Sequence, residues 1–302
     1  MLALIVGGLV LLAFPGWLDP RHGFGPARFA RIGRASMTLG FAGVVLGVTL
    51  WGAPAILHWA DALGVPGLCD AAVHQLPFGG LELAIPMSAI AVALIGRAFS
   101  AARRARLNAR HARVDPFFGR HRQIGGYDVV VIPSAQLVAV GVPGVEPQIV
   151  LSEGLVAELS AIELDAVIRH EVAHHRLRHR QYLVTAAVVD QVLGWIPLVR
   201  SSVVSLRDAV EEWADLESTG SSQARVATLR SALHRLASRR TSADRYAIER
   251  RIASLDSNDR TEDAGRPYSI GPWVPAAALG ALGVLALMFT FQLTDAVIRC
   301  RV

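Results

Sequence analysis

The sequence predicts a mainly α-helical membrane protein, with about four transmembrane helices and a cytoplasmic α+β domain inserted before the last of them. Hydrophobic residues make up 52% of the 302 residues, and the mean hydropathy is +0.39, both high for a soluble protein. Four segments approach the length of about 20 apolar residues that a bilayer span requires. We therefore expect three transmembrane helices in residues 1–97, a cytoplasmic domain in residues 98–270, and a last transmembrane helix with a short tail in residues 271–302.

Four apolar segments are candidates for the spans, namely Leu2–Leu18, Ser36–Leu57, Leu83–Ile95 and Trp273–Thr294. The third is short and is completed by its flanks. No basic residue precedes the first segment, so we do not interpret it as a cleaved signal peptide. A fifth apolar stretch, Leu183–Val199, contains Asp190 and Gln191, and such polar groups are costly inside a bilayer. That stretch is predicted to be buried or interfacial rather than spanning.

The arginines predict the orientation in the cell membrane. All 30 basic residues are arginine. Four lie in residues 21–34 and eight in residues 97–122, whereas the loop between the second and third segments has none. Basic loops stay in the cytoplasm, so the N-terminus is expected outside and residues 98–270 inside. Because much of the basic charge lies beside membrane segments, anionic lipid explains it better than nucleic acid, and no nucleic-acid partner is expected. The lack of lysine also excludes P-loop, Schiff-base and Ser-x-x-Lys chemistry.

The same topology places both cysteines, Cys69 and Cys300, on the outer side of the membrane. Disulfides persist there. The sequence leaves two alternatives open, a bridge between them or two free thiols.

Short elements are predicted within the cytoplasmic domain. The β-prone runs Tyr127–Pro133, Gln136–Val142 and Gln148–Leu151 are bounded by Gly and Pro and favour a small antiparallel sheet. Ser160-Ala161-Ile162-Glu163 has the form of a capping box at the start of a long helix. Ser222–Arg239 has apolar residues at helical spacing. The charged segment Arg240–Pro267 is expected to be a link back to the membrane.

The segment His170-Glu171-Val172-Ala173-His174 carries the chemistry. Two histidines four residues apart lie on the same face of a helix. In this HExxH arrangement both imidazoles bind one Zn²⁺, and the glutamate acts as general base in peptide hydrolysis. The alternative is a helix that carries these residues by chance and binds no metal.

A second amphipathic helix supplies carboxylates in Arg207–Asp215. A catalytic zinc needs a third protein ligand, which we assign to Glu211, with Glu212 as the alternative. Asp215, one turn further on, could hold a ligand histidine through its second ring nitrogen. His175 and His179 also stand four apart, but we interpret them as facing the surface or lipid headgroups, since nearby arginines disfavour a second cation.

These motifs resemble integral-membrane gluzincins, and the layout resembles the BlaR/MecR-type membrane metallopeptidases in particular. The resemblance is carried by Gln148–Ser152, Glu163–His174 and Glu211-Glu212-Trp213-Ala214-Asp215. It implies a zinc endopeptidase in which Glu211 completes the metal site. It also implies that Ile149, Val150 and Leu151 form the edge strand on which a substrate peptide adds. Sensor members carry a penicillin-binding domain whose acylated serine needs a lysine, and this chain has none.

Zn²⁺, a protein or peptide substrate and the lipid bilayer are therefore the expected cofactor and partners, and a transcriptional repressor in a signalling pathway is one candidate substrate. Arg207 is a candidate to stabilise, together with the zinc ion, the negatively charged oxygen (the oxyanion) that develops during peptide hydrolysis. Two alternatives stay open: an HtpX-type quality-control membrane protease, and a non-catalytic membrane signalling or scaffold protein with a degenerate site.

Overall fold

The computed structural model describes residues 1–17, 25–62, 80–111, 119–142, 148–239 and 242–256. Nine helices and four strands lie within these ranges. The helices are α1 (Leu2–Trp17), α2 (Pro26–Ala62), α3 (Gly80–His111), α4 (Glu153–Glu158), α5 (Ala161–Arg176), α6 (Arg180–Leu193), α7 (Pro197–Thr219), α8 (Gln223–Ser238) and α9 (Ser242–Asp256). The strands are β1 (Arg120–Ile124), β2 (Tyr127–Ile132), β3 (Ala139–Val142) and β4 (Gln148–Ser152).

Two helices in the described ranges could cross a membrane by length and composition. The qualifying stretches are Pro26–Ala53 of α2 and Glu82–Ala105 of α3, while the apolar stretch of α1, Leu2–Gly16, is shorter. Phe99 of α3 is 71% exposed, and Val92 of the same helix is 69% exposed. The predicted span Trp273–Thr294 and both cysteines lie outside the described residues. The predicted domain boundary at residue 97 falls inside α3, which continues to His111.

Small residues bring α1 and α2 together. A Cβ atom added at Gly8 would lie 2.6 Å from the carbonyl oxygen of Gly40, and one added at Gly40 would lie 2.6 Å from that of Gly8. Such close backbone approach is typical of helix packing in membranes. Further along α1, Pro15 lacks an N–H and leaves the Leu11 carbonyl without its helical donor. The Ser36 hydroxyl of α2 donates to that carbonyl instead.

The α6–α7 hairpin is packed against α1, α2 and α3. In the apolar stretch Leu183–Val199, the side chains of Val189, Val192 and Val199 are buried by this packing, while Trp195 is exposed. Ser202 of α7 accepts a hydrogen bond from the Gly16 N–H at 2.8 Å and donates to the Ala13 carbonyl at 3.0 Å. Apolar side chains of all five helices form one buried cluster that includes Leu12, Met37, Ala91, Val189, Val203 and Leu206. The parts of the chain predicted as membrane and cytoplasmic domains therefore share a core.

The sheet has the order β1-β2-β4-β3, in which β2 and β4 are parallel and the other two pairs are antiparallel. The predicted all-antiparallel sheet is therefore wrong for one pair. The prediction that Ile149, Val150 and Leu151 form an edge is also wrong, because β4 is hydrogen-bonded to β2 on one side and β3 on the other. All three side chains are buried, as is usual for a strand covered on both faces. Within the described residues, β3 is the edge next to β4.

Glu163 joins the start of α5 to α8. The capping box is present as predicted: the Ser160 hydroxyl accepts from the Glu163 N–H, and the Glu163 carboxylate accepts from the Ser160 N–H at 2.9 Å. The other carboxylate oxygen accepts from Ser231 at 2.6 Å and from Arg235 at 3.0 Å. Burial alone would raise the pKa of Glu163, but the hydrogen bonds and Arg235 outweigh it and lower the pKa to about 2.

We expect Glu163→Gln to lower the free energy of unfolding by up to about 3 kcal/mol near neutral pH. A pKa below the usual 4.5 means that this contribution is present above pH 4.5 and is lost as the pH falls through 2. The gap between variant and wild type should therefore shrink on acidification. Unfolding in detergent at several pH values measures it, with Glu249→Gln in an exposed ion pair as the control. A gap that does not depend on pH would contradict the assignment.

The segment after α8 is not merely a link. Ser242–Asp256 forms helix α9, and its side chains Ile248, Ile252 and Leu255 pack with Leu229 and Leu233 of α8. The segment predicted as a charged link is therefore a packed helix over these residues. This packing holds α9 beside α5 and α7.

Candidate metal centre

Helices α5 and α7 bring His170, His174 and Glu211 together at one point. The two Nε2 atoms lie 3.0 Å apart. The carboxylate oxygens of Glu211 lie 3.3 Å from Nε2 of His170 and 3.5 Å from Nε2 of His174. One donor atom from each of the three residues falls within 4.8 Å of the others. The Glu211 carboxylate converges on two imidazole nitrogens although Glu211 lies about 40 positions after the histidines in sequence.

Asp215 holds the other ring nitrogen of His170. Its Oδ1 lies 2.9 Å from Nδ1 of His170, and its side chain is 1% exposed. Burial and Arg251 would lower the pKa of His170, but hydrogen bonds and charge from Asp215 and Glu211 outweigh them and raise it to about 9. Burial would raise the pKa of Glu211, yet the two histidines and Arg251 hold it well below its usual range. Glu211 is therefore a carboxylate at neutral pH.

His179 holds the other ring nitrogen of His174. The two Nδ1 atoms lie 3.0 Å apart, and His179 is fully buried. The prediction that this histidine faces the surface or lipid headgroups is therefore wrong. Burial, together with the neighbouring His174, lowers the pKa of His179 to about 4, so that its ring is neutral at physiological pH.

Glu171 lies at the border between α5 and the sheet. Its Oε2 accepts a hydrogen bond from the backbone N–H of Gly141 in β3 at 2.9 Å. His175, one turn along α5, packs over the same glycine, because a Cβ added at position 141 would lie 2.3 Å from Nε2 of His175. Burial lowers the pKa of His175. Gly141 is thus required for the close contact between the edge strand and the helix that carries the two histidines.

Arg251 of α9 completes the cluster, and sequence reasoning missed it. Its guanidinium donates to Asp215 at 2.6 and 2.9 Å and lies 3.2 Å from Oε2 of Glu211. Burial would lower the pKa of Arg251, but the adjacent carboxylates raise it above its ordinary value. Arg207, the predicted donor, is instead paired with Asp190 at 3.1 Å. The signal that could have found Arg251 is the helical spacing of Ile248, Ile252 and Leu255 around it.

A cleft of about 1620 Å³ opens onto these groups. One wall is β3, and α5 contributes His170, Glu171, His174 and His175. Apolar side chains of α8 and the side chain of Arg251 also line the cleft. The converging donors are therefore accessible to a ligand of considerable size.

A family comparison agrees with this geometry. The model of peptidase family M48 matches residues 101–253, just over half of the 302 residues. The chain belongs to peptidase family M48. No curated protein and no solved structure matches it. The family makes the chain a metallopeptidase, and the matched residues include both helices that carry the donors.

The donor set of this M48 chain fits a divalent metal. Two imidazoles and a carboxylate are a frequent protein ligand set for catalytic zinc. In each histidine, the ring nitrogen that faces away from the cluster contacts a buried partner. The partner is Asp215 for His170 and His179 for His174. Such contacts orient ligand histidines in metal sites. The two Nε2 atoms, 3.0 Å apart, need a cation or a shared proton between them.

Proposed function

We propose that this M48 protein is a membrane zinc endopeptidase that cleaves cytoplasmic or membrane-proximal protein segments. The observation that carries the proposal is the convergence of His170, His174 and Glu211 at a cleft bordered by Glu171 and an edge strand. The finer resemblance to BlaR/MecR-type peptidases, with a transcriptional repressor as substrate, remains part of this proposal. Family membership supports the metallopeptidase and leaves the substrate open.

His170, His174 and Glu211 would hold the zinc ion, with Asp215 orienting His170. A bound zinc supplies Lewis acidity, which polarises the scissile carbonyl and stabilises the negative charge that develops on its oxygen. Glu211 enters as an anion because its pKa is low. Two neutral imidazoles and one carboxylate would leave the zinc-loaded centre with a net positive charge. Such a charge suits the polarisation of a carbonyl group.

Glu171 is the proposed general base. Its carboxylate is fixed by the Gly141 N–H and lines the cleft beside the two histidines. There it can take a proton from the attacking water and pass it to the leaving amine of the cleaved peptide. One oxygen accepts the backbone hydrogen bond, and the other is available for proton transfer.

Strand β3 is the proposed docking edge for the substrate. In an antiparallel pair, backbone groups point alternately toward the partner strand and away from it. The Gly141 N–H reaches Glu171 and so points away from β4, and the backbone groups of Ala139, two residues earlier, point the same way. A peptide in extended conformation can add to this edge as a further strand. Its scissile bond would then lie beside Glu171.

Arg251 replaces Arg207 as the proposed cationic donor near the reacting carbonyl. It lines the cleft, and its side chain is held in place by Asp215 and Glu211. A guanidinium fixed in this way can help to stabilise an oxyanion without reorganising during the reaction. Arg207 is paired with Asp190 instead.

The membrane arrangement proposed here places three spans in residues 1–97, the catalytic domain in residues 98–270 inside the cell, and a last span in residues 271–302. Two candidate spans and the shared core of α1–α3 with α6 and α7 support it. Because α6 begins only a few residues after α5, this packing keeps the metal centre close to the proposed membrane helices. Substrates would therefore be cut near the membrane surface.

Removal of the metal tests the proposed function. Purified full-length protein in detergent should contain about one zinc per chain and should cleave an unfolded protein such as β-casein. Treatment with 1,10-phenanthroline should abolish cleavage, and added zinc should restore it. A protein that binds no zinc, or that cleaves equally well after the metal is removed, would contradict the proposal.

A further inference from the structure

His179 is a buried histidine whose position the stability of the fold does not explain. It is fully buried, and its Nε2 has no hydrogen-bond partner among the described residues. Leaving a buried polar group unsatisfied costs about 1–3 kcal/mol. Within the described ranges, the ring makes one hydrogen bond, to His174, through the two Nδ1 atoms 3.0 Å apart. An apolar residue of similar size would fill the same space without this cost.

The contact with His174 restricts where the protons of the two rings can lie. Two ring nitrogens at this distance need one hydrogen between them, so one donates and the other accepts. Nε2 of His174 faces Nε2 of His170 and the Glu211 carboxylate. A lone pair on that Nε2 requires the proton of neutral His174 to be on Nδ1, which then donates to Nδ1 of His179. The accepting histidine thereby selects the tautomer of His174 that can bind a metal.

The backbone after α5 is shaped to bring His179 beneath His174. The His179 N–H donates to the His174 carbonyl at 3.0 Å, and the Arg178 N–H donates to the His175 carbonyl at 3.1 Å. These two bonds form a Schellman motif, in which the residue after the C-cap is usually glycine. Here that residue is Arg178, with φ of 55°, a conformation that costs a non-glycine residue about 1 kcal/mol. The chain therefore turns back sharply at this point.

Aromatic rings of α6 and α7 hold the His179 ring. Trp213 of α7 lies 4.8 Å from it between ring centroids, and Tyr182 of α6 lies 6.0 Å away. Two arginines at the start of α2 cover these rings. The Arg31 guanidinium lies 5.8 Å from the Trp213 ring centroid, and that of Arg34 lies 5.1 Å from Tyr182. Side chains of α2, α6 and α7 thus determine the position of His179.

From this arrangement we infer that His179 is a positioning residue of the metal centre, which orients His174 and selects its metal-binding tautomer by accepting its Nδ1 proton. The inference rests on the proposed metal site and assigns a third histidine to it. It also means that only two layers of side chains separate α2, which contains a candidate membrane span, from the metal centre.

Two variants separate the hydrogen bond from simple packing. His179→Leu fills the space but cannot accept a hydrogen bond. His179→Asn can place Oδ1 where Nδ1 of the histidine lies and accept the same proton. His234, an exposed histidine on α8, provides the matched control as His234→Leu.

The readouts are the zinc dissociation constant, measured by competition with a chromophoric chelator, and the absorption spectrum of the Co²⁺-loaded protein. We expect His179→Leu to weaken zinc binding about 10- to 100-fold and to change the cobalt spectrum, as loss of a partner to a ligand histidine does. His179→Asn should stay within about threefold of wild type, since it keeps the acceptor. The thermal stability of metal-free His179→Leu should change little, because removal of the unsatisfied Nε2 of His179 offsets the loss of its hydrogen bond to His174.

Wild-type zinc affinity and cobalt spectrum in His179→Leu would overturn the inference, as would equal losses in the leucine and asparagine variants. If the leucine variant does not fold, the asparagine variant decides: an unchanged cobalt spectrum supports the inference, and a tenfold loss of zinc affinity overturns it. A wild-type protein that binds neither Zn²⁺ nor Co²⁺ would instead contradict the proposed function itself.

Discussion

Glu171→Gln is expected to abolish peptide cleavage while zinc stays bound. Glutamine is close in size to glutamate and can still accept the hydrogen bond from the Gly141 N–H, so the cleft should keep its shape. It cannot take a proton from the attacking water, and loss of a general base costs about 10²- to 10⁴-fold in rate. Because the three proposed metal ligands are untouched, metal content should remain at the wild-type level. Cleavage rate and zinc content are measured on the same preparation.

The control is Glu153→Gln, which changes an exposed glutamate at the start of α4 and should leave both quantities unchanged. Persistent proteolysis by Glu171→Gln would show that the protein is not a zinc peptidase of the proposed kind. Loss of zinc together with activity would show that Glu171 holds the metal rather than a proton. Each outcome assigns a different role to this carboxylate.

Local patterns in the sequence predicted the elements that carry the donors. The capping box at Ser160 and Glu163 marks the start of α5, and its helical spacing places His170 and His174 on one face. Both features depend on residues within one or two turns of each other, so the sequence displays them directly. The choice of Glu211 rested on the carboxylates of a second amphipathic helix and on the family resemblance, and the structure brings its side chain together with the two histidines.

Contacts between distant segments could not be predicted in this way. Arg251 contacts Asp215 from α9, which in the sequence is a charged stretch. Packing against α8 turns the apolar side of α9 inward and thereby places Arg251 beside Asp215. His179 looks like a surface histidine among arginines, yet an αL residue before it folds the chain back. The position of β4 in the middle of the sheet depends on a parallel pairing with β2, and no turn between adjacent strands specifies such a pairing.

The neighbouring carboxylates Glu211 and Glu212 should differ sharply when each is replaced by alanine. Glu211→Ala removes a donor that lies 3.3 Å from Nε2 of His170 and 3.5 Å from Nε2 of His174, and we expect it to lose both zinc and activity. The same loss is expected for His170→Ala and His174→Ala. Glu212→Ala should keep zinc, because the donor atoms that converge belong to Glu211. Zinc content after purification in chelator-free buffer, followed by titration with Zn²⁺, measures the difference.

Asp215→Asn provides the graded comparison within this set. The asparagine can still accept a hydrogen bond from Nδ1 of His170. It lacks the negative charge that Asp215 presents to both Arg251 and His170. Zinc affinity should therefore fall about 10- to 100-fold without being lost, as for other groups that orient ligand histidines. If Glu212→Ala loses the metal while Glu211→Ala retains it, the ligand assignment is shifted by one residue. One residue is about 100° around a helix, so α7 would then have to present a different face to α5 than the one that buries Asp215.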